Sequence, residues 1–174
     1  MPTPEQIIDR LRLIANEFEG GYFVSTYVSS LRVPNSVLPD FQEVEPQRPL
    51  CSAIYYFLDP GGFSALHKVR GDMIYHFYAG NPVEMLLLYP DGFPNRYETT
   101  IFSNDLTSGG LPMKVIPGGT WLGSRLSIGG SYALMGVTMA PGFDPADYEI
   151  GKREDLIAKY PEVEKFIIEL TRAL

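Results

Sequence analysis

The stretch Gly61-Gly62-Phe63-Ser64-Ala65-Leu66-His67-Lys68-Val69-Arg70-Gly71-Asp72-Met73-Ile74-Tyr75-His76-Phe77-Tyr78-Ala79-Gly80 decides how the chain folds. Two apolar and aromatic runs flank the turn pair Gly71-Asp72, and in an extended chain every second side chain of each run shares a face. The same punctuation continues in both directions. Asp59-Pro60-Gly61-Gly62, Gly80-Asn81-Pro82, Pro90-Asp91-Gly92, Ser108-Gly109-Gly110, Pro117-Gly118-Gly119 and Gly129-Gly130 cut the chain between about residue 20 and about residue 145 into short apolar segments. That is the pattern of an all-β sandwich or barrel. Aromatic residues make up 13% of the chain and fall mostly in these segments, where flat rings pack well on a pleated surface.

The two ends follow a different period. Thr3 to Asn16 predicts a helix, with Thr3 as cap, Pro4 at the first position and Gln6 as the capping-box partner. Ile7, Ile8, Leu11, Ile14 and Ala15 form its apolar stripe. Toward the C-terminus, Leu156-Ile157 and then Val163, Phe166, Ile167 and Leu170, with Pro161 at a helix start, predict helices again. The expected organisation is one domain over residues 1–174, with a helix at about 3–16, a β-barrel at about 20–145 and helices at about 152–173.

Composition narrows the partners. Lys and Arg total 14 against 21 for Asp and Glu, a net charge of −7. Such a chain repels phosphate backbones and anionic lipid, so neither nucleic acid nor membrane is expected as a partner. No basic segment followed by an apolar stretch opens the chain, and the longest apolar runs, such as Met85 to Tyr89, fall far short of a membrane span. The single cysteine, Cys51, forms no intrachain disulfide, which fits a cytoplasmic location.

The frame Gly61, His67, Val69, Met73 and Gly80 resembles the first motif of the cupin superfamily, where Gly, His-x-His, Glu and Gly recur at that spacing. Further stretches resemble one branch of it, the small uncharacterised family called cupin 5 or DUF985. They are Glu19-Gly20-Gly21-Tyr22-Phe23, Ser52-Ala53-Ile54-Tyr55, His76-Phe77-Tyr78-Ala79-Gly80, Glu84-Met85-Leu86-Leu87-Leu88, Ala140-Pro141-Gly142-Phe143-Asp144-Pro145-Ala146-Asp147-Tyr148-Glu149 and Tyr160-Pro161-Glu162. The likeness runs from about Pro4 to Thr171. It implies an all-β fold with short flanking helices, the double-stranded β-helix or jelly-roll barrel. It also implies a homodimer and a concave pocket between the sheets.

Cupins usually hold a metal with three imidazoles and a carboxylate, and here the ligand positions depart from that set. Val69 replaces the second His and Met73 the Glu. Pro117-Gly118-Gly119-Thr120-Trp121-Leu122 fits the second motif with Leu122 at its His position. With His67 and His76 the only histidines, one subunit cannot supply three imidazoles, so no metal and no cofactor are expected. The N-terminal motif departs too. Glu17-Phe18 stands where the family commonly has His-Pro, and Val24-Ser25 where it has Arg-Glu.

With His67 inward, as the family's ligand position implies, alternation turns Phe63, Ala65, His67 and Val69 into the barrel. Met73, Tyr75 and Phe77 join them from the next strand, and Thr120, Leu122 and Ser124 from the second motif. These are the expected ligand-binding residues of a mostly apolar pocket; His76, Tyr78 and Trp121 face away. Glu19, beside two glycines, carries two readings, a role in the function or an exposed turn carboxylate, and the second is preferred. Two functions follow for a small-molecule ligand. One is metal-independent binding of a small, largely apolar metabolite. The other is a metal-independent isomerase- or epimerase-like enzyme with His67 as general base and Tyr75 as proton donor. A filled barrel acting through its dimer surface is a third reading.

Overall fold

The structure is a computed structural model that describes residues 2–39, 41 and 46–172. Helix α1 (Pro4–Leu11) opens it, followed by β1 (Ile14–Ala15), β2 (Tyr22–Val28), β3 (Arg32–Pro34), β4 (Gln47–Pro49), β5 (Ser52–Leu58), β6 (Ser64–Lys68) and β7 (Met73–Gly80). Then come β8 (Val83–Leu88), β9 (Tyr97–Phe102), β10 (Met113–Ile116), β11 (Trp121–Leu126), β12 (Ala133–Met139) and β13 (Glu149–Ile150), closed by α2 (Arg153–Lys159) and α3 (Glu164–Glu169).

One sheet has the order β1-β2-β5-β12-β7-β10 and the other β13-β6-β11-β8-β9, with β3 and β4 forming a separate ribbon. The two large sheets face each other as a jelly-roll barrel. Period-two alternation sorts the side chains into layers. On β8, Met85 and Leu87 enter the layer between the sheets, together with Phe102, Leu122 and Met135. Leu86 and Leu88 point the other way, to Leu156, Tyr160, Ile167 and Leu170 of the C-terminal helical segment. Helix α1 covers the outer face of the first sheet, where Ile7 and Leu13 meet Phe57 and Tyr132. Among the described residues, no helix is long and apolar enough to cross a membrane.

Two expectations about the ends need correction. The capping box of Thr3 and Gln6 forms, but the helix ends at Leu11 instead of running to Asn16. Arg12 takes a left-handed φ of 56° and its N–H bonds back to Ile8 O and Asp9 O, which closes the helix. Ile14 and Ala15 then pair with Phe23 and Tyr22 as the edge strand β1. Pro161 opens a 3-10 turn over Pro161–Val163, and the helix proper starts at Glu164.

Candidate functional site

The register of the first sheet lays its inward side chains in rows. Phe23, Tyr56, Met135 and Phe77 form one row, Ser25, Ile54, Val137 and Tyr75 the next, and Val28, Ser52, Met139 and Met73 a third. Phe77 packs edge-on against Phe102 at 5.6 Å and fills the deep end of the barrel. Above it lies a cavity of about 520 Å³ whose walls include Phe23, Ile54, Val69, Met73, Val137 and Met139. Its polar side is built by Glu19, Tyr56, His67, Tyr75 and Tyr148.

His67 sits on β6, buried at 3% exposure. Its Nδ1 lies 2.8 Å from Ala65 O; a carbonyl only accepts, so Nδ1 carries the proton. The Tyr148 ring stacks on the imidazole at 5.4 Å. His67 Nε2 is 3.7 Å from Glu19 Oε2.

Glu19 corrects the preferred reading of its motif: it is 8% exposed, not an open turn carboxylate. The connection from β1 to β2 folds over the barrel mouth, with Gly20 N–H donating to Asn16 O at 2.8 Å and Ala65 N–H to Glu19 O at 2.7 Å. Gly20 has φ +104°, and a Cβ there would lie 2.1 Å from Phe63 O, so only glycine lets the loop lie this close to β6. Tyr56 O–H donates to Gly20 O at 2.8 Å from below. Arg172 holds the loop from above through Phe18 O at 2.6 Å and Glu19 O at 3.3 Å. The carboxylate accepts from Ser64 Oγ at 2.7 Å and Asn16 Nδ2 at 3.4 Å.

Burial first, and then the Glu19 charge, push the Tyr56 and Tyr75 phenols well above their ordinary range. Tyr148 moves the same way for the same causes, opposed by the Arg172 charge. All three are therefore neutral hydroxyls at physiological pH. The Tyr148 hydroxyl is buried and has no hydrogen-bond partner among the described residues.

Of the expected pocket residues, His67, Val69, Met73 and Tyr75 line the cavity. Phe77, Leu122 and Ser124 face the barrel interior below or beside it. Leu122 packs in the core, and Ser124 lies opposite Met85. Thr120 is buried, with its hydroxyl unpartnered among the described residues. Phe63 is a correction: it packs outside, against the cluster of Leu66 and Leu170. Between the pairs Leu122–His67 and Ser124–Ser64 the register slips. Ala65 and Leu66 oppose Gly123 alone, so the bulge reverses the parity of everything before it. Ser64 thus turns in to Glu19, and Ala65 contributes its backbone.

The metal set expected of a cupin does not fit these residues. Val69 and Met73 present hydrocarbon and thioether to the cavity, and Leu122 is packed in the core. No group of three His, Cys, Asp or Glu side chains gathers among the described residues.

Comparisons place this geometry among known proteins. A comparison with curated proteins finds no match. A structure from Shewanella oneidensis shares 29% identity over 100% of both chains, with a TM-score of 0.83. A hypothetical protein from Leishmania major shares 25% identity over 99% of this chain and 100% of its own, at 0.85. A cupin 2 conserved barrel domain protein from Rhodopseudomonas palustris, at 14% identity and a TM-score of 0.57, covers 91% of this chain and 83% of its own and shares the fold alone. The sequence profile described as Cupin superfamily (DUF985) matches residues 5–151, and with the jelly-roll barrel and its Glu-Gly-Gly loop in place the chain belongs to that family.

Proposed function

We propose that this protein binds a small, largely apolar metabolite in its barrel without using a metal. The observation that carries the reading is the cavity of about 520 Å³, walled by the apolar strand rows and polar along one side. Small-molecule sites commonly have about 300–1,000 Å³ and this mixture of apolar wall and few convergent polar groups. Mass spectrometry of the freshly purified protein, native and then denatured, tests it. The expected result is a stoichiometric small organic molecule released on denaturation, with weaker retention in His67→Ala. A stoichiometric metal bound at the barrel overturns the metal-free reading.

A specific observation favours the second reading, an isomerase- or epimerase-like enzyme. Because Nδ1 is engaged by Ala65 O, Nε2 is the ring atom left to exchange a proton with a ligand, beside Glu19. Tyr75, kept protonated by burial, is the proton donor. Under this reading His67→Ala abolishes turnover while binding of the substrate largely survives.

Association into a homodimer is part of the proposal. Met113 and Val115 of β10 are about half exposed, at 54% and 47%, and pair with His76 and Ile74 on the outer face of the first sheet. Light scattering of the purified protein at twice the chain mass supports the dimer; a single chain mass refutes it.

A further inference from the structure

The cavity wall also carries a charge pattern, which deepens the binding reading above and rests on it. No Lys or Arg lines the cavity among the described residues. Lys68 and Arg70 line an adjoining cavity of about 370 Å³, which shares Val69 and Tyr148 with the barrel cavity; there Lys68 pairs with Glu149 at 2.9 Å and Arg70 lies 3.6 Å from Asp147. Among the described residues, the barrel cavity holds one carboxylate, Glu19. The side-chain donors within hydrogen-bond distance of it, Ser64 and Asn16, are neutral, and His67 Nε2 stands 3.7 Å away. Arg172 reaches the same loop but donates to backbone carbonyls. A carboxylate this buried is costly without a cation in contact.

The rest of the lining answers the same sign. Phe18, Phe23, Tyr56, Tyr75, Phe143 and Tyr148 all border the cavity, and aromatic faces attract cations through the ring quadrupole. A phosphate or carboxylate ligand would instead meet the Glu19 charge and find no Lys or Arg in the described lining to receive it.

We propose that the ligand of the barrel cavity is a small organic ammonium: an aliphatic or aromatic body carrying one protonated amine. Its N–H groups lie against the Glu19 carboxylate, and its hydrocarbon lies along Ile54, Met73, Val137 and Met139.

The test uses three probes with one body and different heads: 2-phenylethylamine, 2-phenylethanol and 3-phenylpropionate. Binding to the intact protein is followed by NMR of the methionine methyl groups, since Met73 and Met139 line the cavity. The amine shifts these two signals saturably, the alcohol binds about tenfold more weakly or worse, and the carboxylate leaves them unmoved. Glu19→Gln removes the preference of amine over alcohol. Equal or tighter binding of the alcohol or the carboxylate overturns the ammonium assignment and leaves small-molecule binding standing. So does an amine preference that survives Glu19→Gln. If none of the three probes moves either methionine, the ammonium assignment falls, and the co-purified ligand sought by mass spectrometry decides the binding reading by itself.

Discussion

Three phenols crowd one carboxylate at the mouth of the barrel, and their protonation follows from that crowding. Burial and the Glu19 charge hold the Tyr56, Tyr75 and Tyr148 hydroxyls above their ordinary range, whereas in the unfolded chain a tyrosine ionises near pH 10. Above about pH 10 the unfolded state loses protons that the folded state keeps, so stability falls as pH rises; below it the contribution is fully present. Urea midpoints measured from about pH 8 to about pH 11 are expected to fall more steeply for the wild type than for Tyr75→Phe. Equal slopes would show that Tyr75 ionises freely in the folded protein. These residues were unevenly legible. Alternation from His67 gives the face of a side chain and not its depth, so Phe77 and Leu122 could not be told from the cavity lining above them. Glu19 was hidden for another reason. Its burial depends on contacts with Ser64, Ala65 and Arg172, all distant in sequence, and nothing in the local Glu-Gly-Gly pattern announces them.

At the scale of elements, the Asn16–Gly21 connection is the most constrained piece of the site. Gly20→Ala would place a methyl group 2.1 Å from Phe63 O at a φ of +104°. Forcing an L-residue into such a conformation costs about 1–3 kcal/mol even before the clash. The expected outcome is a lower urea midpoint together with loss of ligand retention, because Glu19 leaves the mouth; retained binding would show that the loop tolerates the shift. Arg172→Ala releases the same loop from the other side. Faster amide exchange is expected at Gly20 and Ala65, whose N–H groups bond to Asn16 O and Glu19 O, with the barrel strands unchanged. The elements themselves were mostly readable, since turn residues and period fix strands locally. The end of α1 was not, because Ile14 and Ala15 continue a helical stripe and only pairing with β2 overrides it. The bulge at Ala65–Leu66 was likewise invisible, being a property of two strands read together.

For the molecule as a whole, stability rests on apolar layers that share strands. Leu86 is fully buried between β8 and the C-terminal helices, so Leu86→Ala is expected to cost about 2–5 kcal/mol in urea unfolding. Ile128, 99% exposed, is the contrast: Ile128→Ser should change stability by no more than about 0.5 kcal/mol. A small effect at Leu86 would mean that the helical cover is loosely packed. The barrel also has a floor. Phe77 and Phe102 close the deep end, while Phe18 and Phe143, 80% and 43% exposed, stand at the open one. The vessel is a thimble and not a pipe: a ligand held there as proposed leaves by the door it came through. For a ligand bound as proposed, residence time is governed at the rim, so trimming Phe18 or Phe143 to alanine is expected to hasten its escape.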